Sequence, residues 1–154
     1  DCPLVFTDMQ EEEGIAKLLG KRLPTELEWE RAAAYTDGRR YPFGNEFDEG
    51  RVTFMTRGTR SVYAHRNGAS PEGVLDLSGN VWERLSTPDG EIDLTDPKQP
   101  KFAETGESMV LRGGSWCCIS PGVLCGGFRD YSYNQGFRKG NSGFRVAGDL
   151  MRPE

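Results

Sequence analysis

The chain is most constrained near its C-terminal end, where two frames bracket a stretch of different chemistry. Leu111-Arg112-Gly113-Gly114-Ser115-Trp116 opens the stretch and Gly143-Phe144-Arg145-Val146-Ala147 closes it. Adjacent glycines permit a tight turn and a close backbone approach that an alanine pair would refuse. The opening frame therefore reads as a strand, Met109 to Arg112, running into a sharp turn. If the strand resumes, Ser115 and Trp116 point in opposite directions. The closing frame reads as a second strand around Phe144 to Ala147. Between them, residues 117 to 142 contain no Glu, Met or Trp and are crowded with Cys, Gly, Ser and Tyr. Irregular backbone held between regular elements is the layout of a binding surface.

The remaining sequence fixes the scale of the fold. A chain of 154 residues makes one domain, 1–154, with a core that buries roughly two-thirds of the unfolded surface. Two N-terminal helices are predicted. Thr7 and Gln10 form a capping box for the first, with Met9, Ile15, Leu18 and Leu19 on its apolar side and Gly20 as its stop. Thr25 and Glu28 cap the second, which buries Leu27, Trp29, Ala32 and Ala33 and runs to about Tyr35. From Tyr41 to about Gln99 the pattern is of turns and short strands, with Asp89 to Pro100 an exposed, proline-marked excursion.

Charge and cysteine usage exclude several classes. A net charge of -5 argues against nucleic-acid binding, which calls for a concentrated basic face. No apolar run approaches the ~20 residues of a membrane span, and Asp1-Cys2-Pro3 does not read as a secretory leader. Cysteines at 2, 117, 118 and 125 fit neither a zinc ribbon nor a CxxC redox motif, and the adjacent pair is a poor disulfide. His65, the single histidine, cannot build a His-rich metal centre.

Several runs together resemble the formylglycine-generating-enzyme (sulfatase-modifying factor) family, a branch of the C-type lectin fold. They are Gly20-Lys21-Arg22-Leu23-Pro24-Thr25-Glu26 continuing to Trp29-Glu30-Arg31-Ala32-Ala33, Tyr41-Pro42-Phe43-Gly44-Asn45-Glu46, Gly79-Asn80-Val81-Trp82-Glu83, Arg112-Gly113-Gly114-Ser115-Trp116 and Gly143-Phe144-Arg145. Their order and spacing match, while the family's usual N-terminal portion is missing. The resemblance implies an α+β fold: two N-terminal helices and short twisted antiparallel strands with extensive loops.

One branch of the family oxidises a sulfatase cysteine with the help of copper. In those enzymes five positions separate two active-site cysteines; here Cys118 takes the first place, Val123 the second, and the next cysteine is Cys125. Two soft thiolates must converge on copper(I), so the slip puts that activity in doubt. A second branch, the variable proteins of diversity-generating retroelements, is more similar. Their C-terminal cassette is diversified at adenines, typically in Asn codons, which never yields Lys, Gln, Glu, Met or Trp. Within 117–142 only Gln135 and Lys139 fall outside the reachable set. An inactive relative serving as an assembly domain is the third possibility.

The resemblance to the variable proteins implies a non-enzymatic protein that binds a protein ligand through Cys117, Ile119, Val123, Cys125, Gly127, Phe128, Asp130, Tyr131, Tyr133, Asn134 and Asn141. It is compatible with display on a cell or virus particle. Tyrosine offers a large amphipathic contact at low entropic cost, and Ser, Gly and Asn supply adaptable hydrogen bonds. Trp116 and Phe144 are assigned to the core, and Arg112, Arg129, Arg138 and Arg145 to posts that fix loops. The family segment matching Asp76 to Glu83 binds calcium, so Asp76, Glu83 and the carbonyls of Gly79 and Val81 are candidate ligands for a structural calcium. Glu83 could equally pair with an arginine. Arg51 stands where a second calcium site would need an Asn, and no organic cofactor is implied.

Overall fold

The computed structural model describes residues 1–34, 36–88, 92–93, 101–102, 108–132 and 136–148. Helix α1 spans Met9–Leu18 and α2 spans Glu26–Ala34; strands β1 (Trp82–Pro88), β2 (Ile92–Asp93), β3 (Lys101–Phe102), β4 (Met109–Arg112), β5 (Asp130–Ser132) and β6 (Ser142–Phe144) follow. The architecture is α+β, as the sequence implies. No described helix is long and apolar enough to cross a membrane. The run from Asp89 to Pro100 lies outside the described residues apart from β2, which pairs with β3.

α1 starts one residue later than the Thr7/Gln10 reading. Asp8 is the N-cap and closes a capping box with Glu11, while the Thr7 hydroxyl donates to Glu12 Oε1 at 2.8 Å. The buried face is Met9, Glu12 and Ala16. Leu18 is 88% exposed, because two positions beyond Ala16 a helix has turned about 200°, and Leu19, the C-cap beyond the helix end, is 61% exposed. For α2 the expected cap is present: Glu28 N–H donates to Thr25 Oγ1 and Thr25 N–H to Glu28 Oε2. Trp29 and Ala33 are buried, whereas Leu27 is 43% exposed.

The main sheet has the order β5-β4-β1-β6. β1 is antiparallel to β4, and β4 to β5, but β6 runs parallel to β1 with Trp82 opposite Ser142. This corrects the expectation of antiparallel strands throughout. β5 and β6 run the same way at opposite edges of the sheet. β6 also begins two residues before the expected Phe144; Ala147 instead makes an isolated bridge to Arg22.

Three apolar clusters form the core. Trp29, Ala33, Leu77, Leu85 and Val110 lie between α2 and the sheet; Met9, Ala16, Leu23 and Met109 lie under α1; Tyr41, Val52, Phe54 and Leu124 join the middle segment to residues 117–142. Charged groups also enter the core. Arg84 and Glu12 are both fully buried and meet at 2.5 Å, and Glu12 Oε2 and Arg84 Nε have no hydrogen-bond partner among the described residues. Burial outweighs the guanidinium and pushes the Glu12 carboxyl up.

Removing one member of such a pair leaves an uncompensated buried charge. Arg84→Met should lower the unfolding free energy in urea by about 3–5 kcal/mol, and adding Glu12→Leu should recover most of it. The α2 cap gives a pH test. Hydrogen bonds from Arg22, supported by Thr25, hold the Glu28 carboxyl down at about 2, against a usual 4.5. A depressed carboxyl stabilises the fold above its unfolded value and loses that effect as pH falls. Glu28 is 43% exposed in its side chain, so Glu28→Gln should cost at most about 1 kcal/mol at neutral pH. That deficit should shrink below pH 4.5 and vanish near pH 2 in acid titrations.

Candidate ligand-binding surface

Arg112 ends β4 inside the protein. Its guanidinium lies 5.2 Å from the centre of the Trp29 ring, donates to Glu30 Oε2 at 2.5 Å and donates to Phe128 O at 3.0 Å. Gly113 and Gly114 follow with φ of 93° and 74°. A Cβ at Gly113 would sit 3.3 Å from Trp29 Cζ2, and one at Gly114 3.2 Å from both Leu124 Cγ and Val123 O. The strand does not resume past this pair, so Ser115 and Trp116 do not alternate across a sheet. Ser115 is fully buried in a turn. Trp116 is half-buried, donating from its backbone to Asn80 O and from Nε1 to Gly140 O.

Beyond the frame, most bonds from the rest of the protein reach main-chain atoms. Ser78 Oγ donates to Leu124 O at 2.7 Å, Arg84 to Phe137 O at 2.8 Å, Phe6 N to Lys139 O at 3.1 Å, and Trp82 N to Asn141 O at 2.9 Å. Gly126 N donates to Arg40 O at 2.8 Å. Side-chain anchors are few. Leu124 is buried against Tyr41, Val52 and Phe54, Arg129 grips Glu26 at 2.7 and 2.9 Å, and Arg138 binds Asp8 and Glu11. The arginine posts expected from the sequence are thus present.

The display side carries most of the candidate residues. Cys117, Ile119, Gly127, Phe128 and Tyr131 are exposed; Val123, Cys125, Asp130 and Asn141 are half-buried; Tyr133 and Asn134 lie outside the described residues. Asp130, Tyr131 and Asn141 come together around a cleft of about 180 Å³ that Trp82, Phe137, Lys139 and Ser142 also line. Ser142 Oγ is buried there without a hydrogen-bond partner among the described residues. No local pattern announces Trp82 or Ser142 as site residues; only the pairing of β1 with β6 sets them side by side. The Trp82 and Phe128 rings lie 6.1 Å apart.

All four cysteines are free. Ser115 N–H donates to Cys118 Sγ at 3.3 Å, and Ser115 Oγ lies 3.4 Å from Cys117 Sγ and 3.5 Å from Cys118 Sγ. Asn141 Nδ2 donates to Cys117 Sγ at 3.3 Å. Cys118 and Cys125 pack against the same cluster of Tyr41, Val52, Phe54 and Leu124.

The candidate calcium ligands are arranged differently from a dication cage. Glu83 is 4% exposed; Arg145 takes both of its oxygens at 2.5 Å, and Trp29 Nε1 donates to Oε2 at 2.6 Å. The pairing with an arginine, left open by the sequence, is the one present. Asp76 accepts a 3.0 Å bond from Asn80 Nδ2, and burial pushes its carboxyl up. A cation at the Gly79 and Val81 carbonyls would find Glu83 already neutralised, so these residues do not fit calcium as arranged. Arg51 pairs with Asp48, and His65 Nδ1 lies 3.1 Å from Gly50 O.

Known proteins are similar to this chain in sequence and fold. The sulfatase-modifying factor enzyme 1-like domain family matches residues 1–150. Serine/threonine-protein kinase pkn1 of Chlamydia pneumoniae is 34% identical over 96% of the chain but 24% of its own length. Hercynine oxygenase of Mycobacterium tuberculosis is 34% identical over 97% of the chain and 37% of its own length. Formylglycine-generating enzyme of Streptomyces coelicolor is 34% identical over 96% and 52%. The chain therefore spans between a quarter and about half of these relatives. Among solved structures, PvdO from Pseudomonas aeruginosa superposes with a TM-score of 0.71 at 24% identity, covering 94% of this chain and 60% of that one. Treponema denticola variable protein 1 gives 0.65 at 27% identity, covering 82% and 46%. The fold is thus the C-type lectin fold of the formylglycine-generating type.

The frame can be tested on its own. Gly114→Ala forces a left-handed alanine against Leu124 and should cost about 2 kcal/mol in denaturant unfolding. An unchanged midpoint would show that the turn relaxes freely.

Proposed function

The chain belongs to the sulfatase-modifying factor enzyme 1-like family, and we propose that within it this protein binds a protein ligand through a diversified surface at residues 117–142. The observation that carries the reading is the division between anchoring and display. Donors from outside the segment are aimed at its main-chain oxygens, while Cys117, Ile119, Phe128 and Tyr131 face outward. Substitution at these four positions removes none of those main-chain bonds. The fold shared with a structure named a variable protein supports the reading, as does the reachable-codon composition of the segment. Tyr131, with Tyr133 in the same segment, would supply rigid aromatic contact, and Asp130, Asn134 and Asn141 adaptable polar contact.

A second reading, copper-dependent oxidation of a peptide cysteine, draws on the Ser115–Cys118 contact and on relatives named as enzymes. Val123 in place of the second thiolate weighs against it, since copper(I) needs converging soft ligands.

Two measurements separate the readings. A display library randomised at positions 117, 119, 128, 130, 131, 133 and 134 should keep Tm within about 4 °C and yield binders to an unrelated protein target. General unfolding of the library would sink the surface reading. Copper(I) titration should show no tight one-to-one complex; such a complex, lost in both Cys118→Ser and Cys125→Ser, would assign the oxidase instead.

A further inference from the structure

A separate cavity of about 330 Å³ lies beside the start of β1 and shares no lining residue with the cleft of the 117–142 surface. Val62, Tyr63, Leu75, Val81 and Phe144 give it apolar and aromatic walls, with Asp76 set among them. Its volume is in the range of small-molecule sites, which combine apolar walls with a few placed polar groups.

The backbone is bent to hold that carboxylate in place. Asp76 and Asn80 are both left-handed, with φ of 55° and 63°. Asp and Asn enter this region more readily than other non-glycine residues, because their short polar side chains bond locally. Asn80 is fully buried. Its Nδ2 donates to Arg60 O at 3.1 Å and to Asp76 Oδ2 at 3.0 Å, and its Oδ1 accepts from Arg60 N at 3.0 Å. Asp76 Oδ2 is thereby fixed, and Oδ1 has no hydrogen-bond donor among the described residues. Glu83 and Arg145 also border the cavity but neutralise each other. One negative charge, that of Asp76, is left facing an apolar space.

We infer that this cavity binds a small organic ammonium ion with an apolar or aromatic body, its N–H groups donating to Asp76 Oδ1 and its body lying against Tyr63, Leu75, Val81 and Phe144. A carboxylate supplies the countercharge, and the low-dielectric walls strengthen the pairing relative to water. The inference stands apart from the reading of residues 117–142, because no residue is common to both sites.

The test compares 2-phenylethylammonium with 2-phenylethanol by calorimetry on the intact chain, since the two probes differ in charge and match in shape. The ammonium should bind at least about tenfold more tightly, equivalent to about 1.4 kcal/mol. Asp76→Asn retains an acceptor for Asn80 and a side chain tolerant of the left-handed backbone, so the variant should fold with Tm nearly unchanged and bind both probes equally. Leu75→Trp, which fills the cavity, should remove both probes. Equal affinity of the two probes for the parent protein, or a preference that survives Asp76→Asn, would overturn the inference. So would stabilisation by calcium, lost in Asp76→Asn, with no binding of the ammonium.

Discussion

The Glu83 carboxylate is the junction on which the rest of the structure depends. It lies on β1, accepts from Trp29 Nε1 on α2, 54 positions earlier, and from Arg145, 62 positions later. A buried carboxylate is costly unless its oxygens are bonded and its charge paired, and here both conditions are met. Losing Arg145 would leave an unpaired charge in the core, and losing the Trp29 donor would leave one buried oxygen a bond short.

The same device recurs because the regular structure is sparse. β4 has four residues and β5 and β6 three each, which supplies few ladder bonds. Arg84 with Glu12, Arg112 with Glu30, and Arg129 with Glu26 do the joining that longer strands would do elsewhere. Arginine suits this role, since its planar fork binds a carboxylate and a carbonyl at once and stacks on an aromatic face, as Arg112 does on Trp29.

β1 also sets the two concavities apart. Successive strand residues point to opposite faces: Trp82 lines the cleft of the 117–142 surface, while Glu83 borders the cavity that holds Asp76. The 117–142 surface and the cavity beside Asp76 therefore lie on opposite faces of this strand. Arginine posts and main-chain acceptors hold the segment without using the side chains of Ile119 and Tyr131.

The sequence by itself determined the α+β class, the Thr25–Glu28 cap of α2, the glycine turn at 113 and 114, and the arginine posts, because each follows from local chemistry or from motifs in a fixed order. It misplaced what depends on packing. Whether Leu18 is inside or outside depends on which face of α1 meets the sheet, and Asp8 displaces Thr7 as the cap because the Thr7 hydroxyl bonds the buried Glu12. The direction of β6 and its pairing with Trp82 were not legible, since strand order joins residues that are distant in the chain. Only the tertiary structure decided that Glu83 pairs with Arg145, and that Asp76 borders an apolar cavity. A carboxylate's partner is set by what the fold brings within about 3 Å of it, and no spacing along the chain encodes that distance.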